Sequence, residues 1–171
     1  MLEPTVLDYV RAAGQLDQER FCRQFPHPVL VSLAADLGHA FREVRTRLCG
    51  PAAAGAEDDP SIRAVAPVLA VRSDGGDAAG AEISLGRSED CDLVIDHETV
   101  SSTQAVLLAD PAGGGWRLLE LEATNPSRVN DRPLAPGQAV GLNDGDKLAF
   151  GDCRFVFYSP AGFFQMLQPN G

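Results

Sequence analysis

The chain is poor in lysine, and this shortage bears on its partners. Lys147 is the single lysine beside thirteen arginines, and 24 Asp and Glu residues give a net charge of −10. A surface of this sign repels phosphate backbones and anionic lipid headgroups, so we expect neither nucleic acid nor membrane as a partner. No apolar stretch reaches the roughly 18 residues of a membrane-spanning helix. Any anion that binds must be held by a local site.

Closely paired cysteines are absent too. Cys22, Cys49, Cys91 and Cys153 lie far apart, whereas structural zinc sites take their ligands in close pairs. We therefore expect no metal and no other cofactor. The chain does not open with the charged and then apolar segments of a secretory signal. We expect a cytoplasmic protein, of bacterial origin, with four free thiols.

Catalytic motifs are missing as well. The sequence has no nucleophile elbow, no H-E-x-x-H, no Walker loop and no G-x-G-x-x-G. "GGG" at 113–115 precedes a predicted strand, so it offers no helix N-terminus to a phosphate. "DGD" at 144–146 lacks the other oxygen ligands of a calcium loop. We expect a protein without enzymatic activity.

Helical periodicity is the main feature of residues 1–50. Asp17 is a predicted N-cap, and apolar residues recur at a helical period from Leu30 to Leu48. The segment therefore reads as helical, and its apolar face is too large to lie exposed on a monomer. That face packs either on the rest of the chain or on another copy, so self-association through these helices is one of two open alternatives. The acidic, Ala-, Gly- and Pro-rich stretch 51–64 is the predicted linker.

Short β-prone segments separated by turn signals fill residues 65–159, and they predict an antiparallel β-sandwich. Asp144-Gly145 in "LNDGDKLAFG" is the clearest predicted hairpin, because Asp-Gly readily adopts the positive φ angles of a tight turn. Residues 160–171 are a predicted short helix or tail. The fold class is thus mainly β with a helical N-terminal segment.

The predicted inter-strand loops hold a set of polar residues that can bind an anion. An arginine supplies a forked, charged donor for a phosphate, and neighbouring Ser and Thr hydroxyls supply neutral ones. Such residues are also common in loops that are merely solvated, so by themselves they leave function open. The set comprises Gly86, Arg87, Ser101, Ser102, Thr124, Asn125, Ser127 and Asn130.

Four motifs, which follow one another in a set order, make this region resemble a known protein family. They are "LGRSEDCDLVID", "VSSTQAVL", "LELEATNPSRVNDRPL" and "LNDGDKLAFGDCRFVF". With them, residues from about 65 to 159 resemble a forkhead-associated (FHA) domain, a phosphothreonine-peptide binding module built as a β-sandwich of about eleven strands. The resemblance implies an adaptor that works beside Ser/Thr kinases, as a kinase substrate or as a reader of phosphorylated partners. The alternative is a scaffold that uses the same sandwich without dependence on phosphate.

The resemblance also assigns roles to residues. Arg87 is the implied phosphate ligand, and Ser101 donates its hydroxyl to the same phosphate. Ser102 lies near the peptide, while Thr124 and Asn125 line the threonine-methyl pocket and bond the peptide backbone. Gly86, Gln104 and Asn130 are the implied supports of the site.

The sequence departs from the family pattern at several of these places. Gln104 stands where the family has a bracing histidine, and its amide can donate a similar bond. Ala123 replaces a serine, so one hydroxyl is lost. Pro126 replaces a glycine and fixes φ near −65°, which is expected to affect the position of Asn125. Asp131 replaces a glycine in a turn that Asn-Asp can still form.

Overall fold

Two β-sheets packed face to face form the body of the protein. The structure, a computed structural model, describes residues 4–33, 66, 68–72, 80–113 and 115–168. The strands in these residues are β1 (Val29–Ser32), β2 (Val68–Ala70), β3 (Glu82–Gly86), β4 (Leu93–Val94), β5 (Ala105–Ala109), β6 (Trp116–Glu120), β7 (Arg128–Val129), β8 (Arg132–Pro133), β9 (Ala139–Leu142), β10 (Lys147–Phe150) and β11 (Cys153–Tyr158). One sheet has the order β2-β1-β11-β10-β7-β8 and the other β4-β3-β5-β6-β9. All strand pairings in the described residues are antiparallel except that of β3 with β4. The predicted β-sandwich is confirmed.

The main core lies between the sheets. Alternate residues of each strand point inward, as the period of two requires. Leu85, Leu107 and Leu118 come from the five-stranded sheet, and Leu148 and Phe155 face them from the six-stranded sheet. Each is almost fully buried, and burying a side chain of this size contributes roughly 1.5–3 kcal/mol. This core fixes the strand ends from which the loops emerge.

In the described residues, three helices cover the outer face of the six-stranded sheet and form a second core. They are α1 (Val6–Ala13), α2 (Gln18–Gln24) and α3 (Pro160–Leu167). Phe21 and Phe163 are buried there, and Phe25 stacks on Phe21 at 4.9 Å between ring centroids. The expected N-cap at Asp17 is confirmed, because its carboxylate accepts a bond from the Arg20 N–H at 2.8 Å. The N-terminal apolar face thus packs within the chain.

The predicted helical segment 1–50 is wrong at Val29–Ser32, which form strand β1. This strand pairs with β11 on one side and β2 on the other, and all four residues are buried. Burial on both faces produces an unbroken apolar run, and such a run does not distinguish a central strand from a helix. The sandwich therefore begins well before residue 65. The rest of that prediction, residues 34–50, and the predicted linker 51–64 lie outside the described residues.

The predicted hairpin at Asp144-Gly145 is also wrong. The turn exists and Gly145 has φ +88°, but it joins β9 in one sheet to β10 in the other. A true two-residue hairpin turn lies at Asn130-Asp131, whose φ angles are +51° and +67°. Local sequence predicts where a turn lies, whereas the partners of its strands depend on packing.

The thiol prediction holds in part. Cys22 and Cys91 are free, whereas Cys153 is disulfide-bonded. The expectation of four free thiols is therefore wrong at Cys153, and Cys49 lies outside the described residues.

Within the described part of the chain, no helix is long and apolar enough to cross a bilayer. The same residues contain no group of three or more His, Cys, Asp or Glu side chains placed to hold a metal ion.

Candidate functional site

Three loops meet at one end of the sandwich, and we call this end the loop end. They follow β3 (residues 87–92), precede β5 (residues 95–104) and join β6 to β7 (residues 121–127). The structure places on them Arg87, Ser101, Ser102, Thr124 and Asn125. All of these side chains are exposed except Ser101, which is half-buried.

Gly86 allows the first two loops to approach closely. The N–H of Arg87 donates to the Ser101 carbonyl at 2.9 Å, and the N–H of Ser88 donates to the Ser102 carbonyl at 3.0 Å. A Cβ added at Gly86 would lie 2.3 Å from the Ser102 carbonyl oxygen, a distance that no side chain tolerates. A glycine before the arginine is therefore a steric requirement, and it sets Arg87 beside Ser101.

The guanidinium of Arg87 is open to solvent. Among the described residues, salt bridges join Arg20 to Asp17 and Arg23 to Glu19, and none involves Arg87. An exposed arginine without a carboxylate partner, in an acidic chain, keeps all its donors for an incoming anion.

Ser101 links the second loop to the third. Its Oγ accepts a hydrogen bond from the Thr124 N–H at 3.0 Å, and its own N–H donates to Gln104 Oε1 at 3.1 Å. A hydroxyl that accepts one bond still has its proton to donate. The backbone of Ser101 is thus fixed, while its O–H can turn toward a ligand.

Gln104 is the buried centre of these contacts and is 0% exposed. Its Nε2 donates to the Asn125 carbonyl at 2.7 Å and to Ser127 Oγ at 3.1 Å, while its Oε1 accepts from Ser101. One amide therefore ties the second loop to the third. Support of a phosphopeptide site by Gln104 stays a prediction, and these three bonds are its structural basis.

Asn125 is held at two points despite the neighbouring Pro126. Its carbonyl accepts from Gln104, and its Nδ2 donates to the Thr99 carbonyl at 3.0 Å. Pro126 lacks only the backbone N–H, and the third loop forms without a hydrogen bond from that position. The exposed Asn125 amide keeps its Oδ1 and a second N–H available to a ligand.

Thr99 is a residue whose importance the sequence did not show. Its Oγ1 accepts from the Asp152 N–H at 2.8 Å and bonds the ring of His97 at 2.8 Å. A Cβ at Gly151, which has φ +58°, would lie 2.3 Å from this same oxygen. Thr99 therefore connects the loop end to the β10–β11 turn. No spacing rule relates residues 99 and 152, so only the fold shows this contact.

A buried carboxylate lies beneath the third loop. Glu120 is 1% exposed, and its Oε1 accepts from the N–H of buried Ser127 at 3.2 Å. Its Oε2 is buried without a partner among the described residues. Desolvation raises the pKa of Glu120, and the hydrogen bonds from Ser127 oppose this rise.

Asn130 does not join these residues. Its Nδ2 donates to Asp146 Oδ1 at 2.9 Å, and its Oδ1 accepts from the Lys147 N–H at 3.0 Å. Both bonds lie at the opposite end of the sandwich. The expected role of Asn130 as a support of the site is therefore not what its contacts show; it secures the β7–β8 turn.

Comparison with known proteins identifies the sandwich. Residues 83–151 match the model of the FHA domain. The chain contains an FHA domain. Two solved FHA domains share its fold: that of CT664 from Chlamydia trachomatis (TM-score 0.50, 15% identity, covering 77% of this chain and 95% of that one), and an engineered FHA with Myc-pTBD peptide (TM-score 0.52, 14% identity, covering 83% and 98%).

The curated relatives match over a shorter stretch. Transcription factor 19 of Homo sapiens and of Pan troglodytes are each 34% identical to this FHA-containing chain over 96 residues. That match covers 53% of this chain and 28% of the relative. The similarity thus spans less than a third of those proteins. Their primate origin does not support the expected bacterial source.

Proposed function

We propose that this FHA domain binds phosphothreonine-containing proteins or peptides, with Arg87 as the principal phosphate ligand. The observation that carries the proposal is an exposed arginine without a salt bridge in the described chain, held beside a serine whose hydroxyl proton is free. No reaction is part of this proposal. The product of a Ser/Thr kinase is the ligand, and the protein acts as an adaptor in the cytoplasm.

Phosphate recognition follows from the chemistry of Arg87 and Ser101. The planar guanidinium donates two parallel bonds to phosphate oxygens, and charged bonds of this kind are roughly twice as strong as neutral ones. The Ser101 O–H adds a third donor. Because backbone bonds and Gln104 already fix the main chains of both residues, only their side chains have to be ordered on binding.

Peptide recognition falls to the third loop. The free Oδ1 and N–H of Asn125 match one backbone amide of an extended peptide. Thr124, which is exposed, precedes Asn125 and donates its N–H to Ser101 Oγ. Ser102, also exposed, follows Ser101 in the second loop. We infer that the phosphothreonine enters between the second and third loops.

The charges of the loops indicate which peptides bind best. Apart from Arg87 the three loops carry no Lys or Arg, whereas they carry the exposed acids Glu89, Asp90, Asp92, Asp96, Glu98 and Glu122. Basic residues near the phosphothreonine are attracted by these carboxylates, and acidic ones are repelled.

Fluorescence anisotropy with a degenerate phosphothreonine peptide library tests the proposal. We expect micromolar binding that disappears for unphosphorylated peptides and falls about a hundredfold in Arg87→Ala, since bonds to charged groups contribute about 1.5–3 kcal/mol. Arg132→Ala is the matched control, because it removes an exposed arginine from β8. Equal binding of both peptide forms would instead favour the phosphate-independent scaffold.

A further inference from the structure

The outer face of the five-stranded sheet is not covered by the three described helices, which pack on the other sheet. Strand register places two rows of residues on this face, opposite the buried core positions Leu85, Leu107 and Leu118. One row comprises Ser84, Val106, Leu119 and Ala139, and the other Glu82, Leu108, Arg117 and Gly141. We call these eight residues the bare face.

The centre of the bare face is apolar. Val106, Leu108 and Leu119 lie on the two central strands, and all three are partly exposed. Gly141 beside them has nothing within 4 Å of an added Cβ, so the edge of the face is open. An apolar surface of this kind on a sandwich is a typical contact surface for another β-sheet.

Opposite charges flank this centre in one row. Glu82 on β3 and Arg117 on β6 lie on either side of Leu108, about 10 Å apart by strand spacing. Both are exposed, and neither forms a salt bridge with another described residue.

We propose that a second copy of this chain binds the bare face, related to the first by a two-fold axis that runs along β5. This axis exchanges β3 and β6, so Glu82 of each copy lies opposite Arg117 of the other. Leu108 and Val106 meet their own counterparts on the axis. The face is self-complementary in charge, as a two-fold interface requires.

The size of the face sets the strength of the dimer. Four strands span about 19 Å across and five residues span about 17 Å along the strands. The area is well below the roughly 800 Å² per partner of a stable complex, so the dimer is weak and forms with rising concentration. An axis parallel to the strands leaves both loop ends on the same side. If the proposed function holds, one dimer can therefore bind a partner with two phosphothreonines.

Sedimentation velocity of the full chain over a range of concentrations tests the dimer through charge reversal. We expect the wild type to dimerise, and Glu82→Arg and Arg117→Glu each to weaken dimerisation at least tenfold, because each places like charges opposite each other twice. An equimolar mixture of the two variants restores both pairs and should dimerise at least as tightly as the wild type. Recovery in the mixture also shows that the variants are folded.

Three results overturn this proposal. One is a wild type that stays monomeric at millimolar concentration, and another is a mixture that fails to recover. The third is a dimer that charge reversal leaves unchanged and that the double variant Leu7→Asp/Val10→Asp no longer forms. Leu7 and Val10 are the exposed apolar residues of α1. The test is independent of phosphopeptide binding, because Arg87→Ala should dimerise like the wild type.

Discussion

The two ends of the sandwich are held together in different ways. At the loop end, Gln104, Ser127 and Glu120 are three of the four buried polar residues of the described chain. At the opposite end, Asp146 accepts bonds from the Asn143 N–H and from Asn130 Nδ2 on the protein surface. One end uses buried polar groups, and the other uses exposed turn residues.

The two ends also differ in how far apart along the chain their bonded residues lie. Several loop-end bonds join residues 21 to 53 positions apart, as for Gln104 with Asn125 and Thr99 with Asp152. Asn143 bonds Asp146 three positions away, and Asn130 bonds it across 16. A buried network of distant residues costs more free energy to break than exposed local bonds do. The loop end is therefore preorganised, which a binding site needs and a turn does not.

Gly86→Ala should have the largest effect on stability and on binding. Its Cβ meets the Ser102 carbonyl at 2.3 Å, so we expect a loss of about 3 kcal/mol in the free energy of unfolding and no phosphopeptide binding. Gly145→Ala at the opposite end meets open space and carries only the strain of its positive φ, about 1–2 kcal/mol. Urea unfolding of both variants measures the contrast. Equal losses would contradict it.

Gln104→Ala should have the next largest effect. It leaves the Ser101 N–H and the Asn125 carbonyl without their partner, and we expect about 2–4 kcal/mol of lost stability with weaker phosphopeptide binding. Asn130→Ala should cost about 1–2 kcal/mol and leave binding unchanged. Thermal unfolding and anisotropy on the same samples check both. Weaker phosphopeptide binding by Asn130→Ala would show that the opposite end supports the site after all.

Glu120→Gln gives a pH-dependent test of the buried network. Because the folded-state pKa of Glu120 is raised, the folded protein binds a proton more readily than the unfolded chain. Its contribution to stability is present below the unfolded pKa and is lost as pH rises through the folded pKa. The stability of Glu120→Gln relative to wild type should therefore increase as the pH rises above the ordinary carboxyl pKa of 4.5. A constant difference in unfolding free energy would contradict this assignment.

Flanking charge should have the smallest effect. A phosphothreonine peptide with two added lysines is expected to bind a few-fold more tightly than one with two added glutamates, and the ratio should shrink with salt because exposed charges are screened. Anisotropy at low and high ionic strength measures it. A preference for the acidic peptide would mean that the loop carboxylates lie away from the bound chain.

The sequence predicted those parts of the molecule that depend on local pattern. Alternation predicted the sandwich, Asn-Asp the β7–β8 turn, and Asp17 a helix cap. It fails where partners are distant: the apolar run of β1 is consistent with a helix, whereas its burial comes from two neighbouring strands. The Asp-Gly pair predicts the turn at Asp144-Gly145 correctly, but the two strands that this turn joins lie in different sheets.

The same distinction between local pattern and distant partners applies to the residues of the candidate site. Arg87 and Ser101 followed from residue type and motif order, and the steric role of Gly86 became visible only in the structure. Ser127 was expected among the anion-binding loop residues, but it is buried. Its contacts and those of Thr99 and Glu120 could not be predicted, because their partners are set by the meeting of three loops. Long-range packing, which one sequence does not display, decides which loop residues touch.

An NMR titration that follows backbone amides and the arginine side-chain Nε–H groups tests the central claim most directly. With a phosphothreonine peptide, we expect shifts of the Arg87 Nε–H and of the Ser101, Thr124 and Asn125 amides, and none at Asn130 or Gly145. The unphosphorylated peptide should shift none of them. Shifts that ignore the phosphate, or that cluster at the opposite end, would contradict the account.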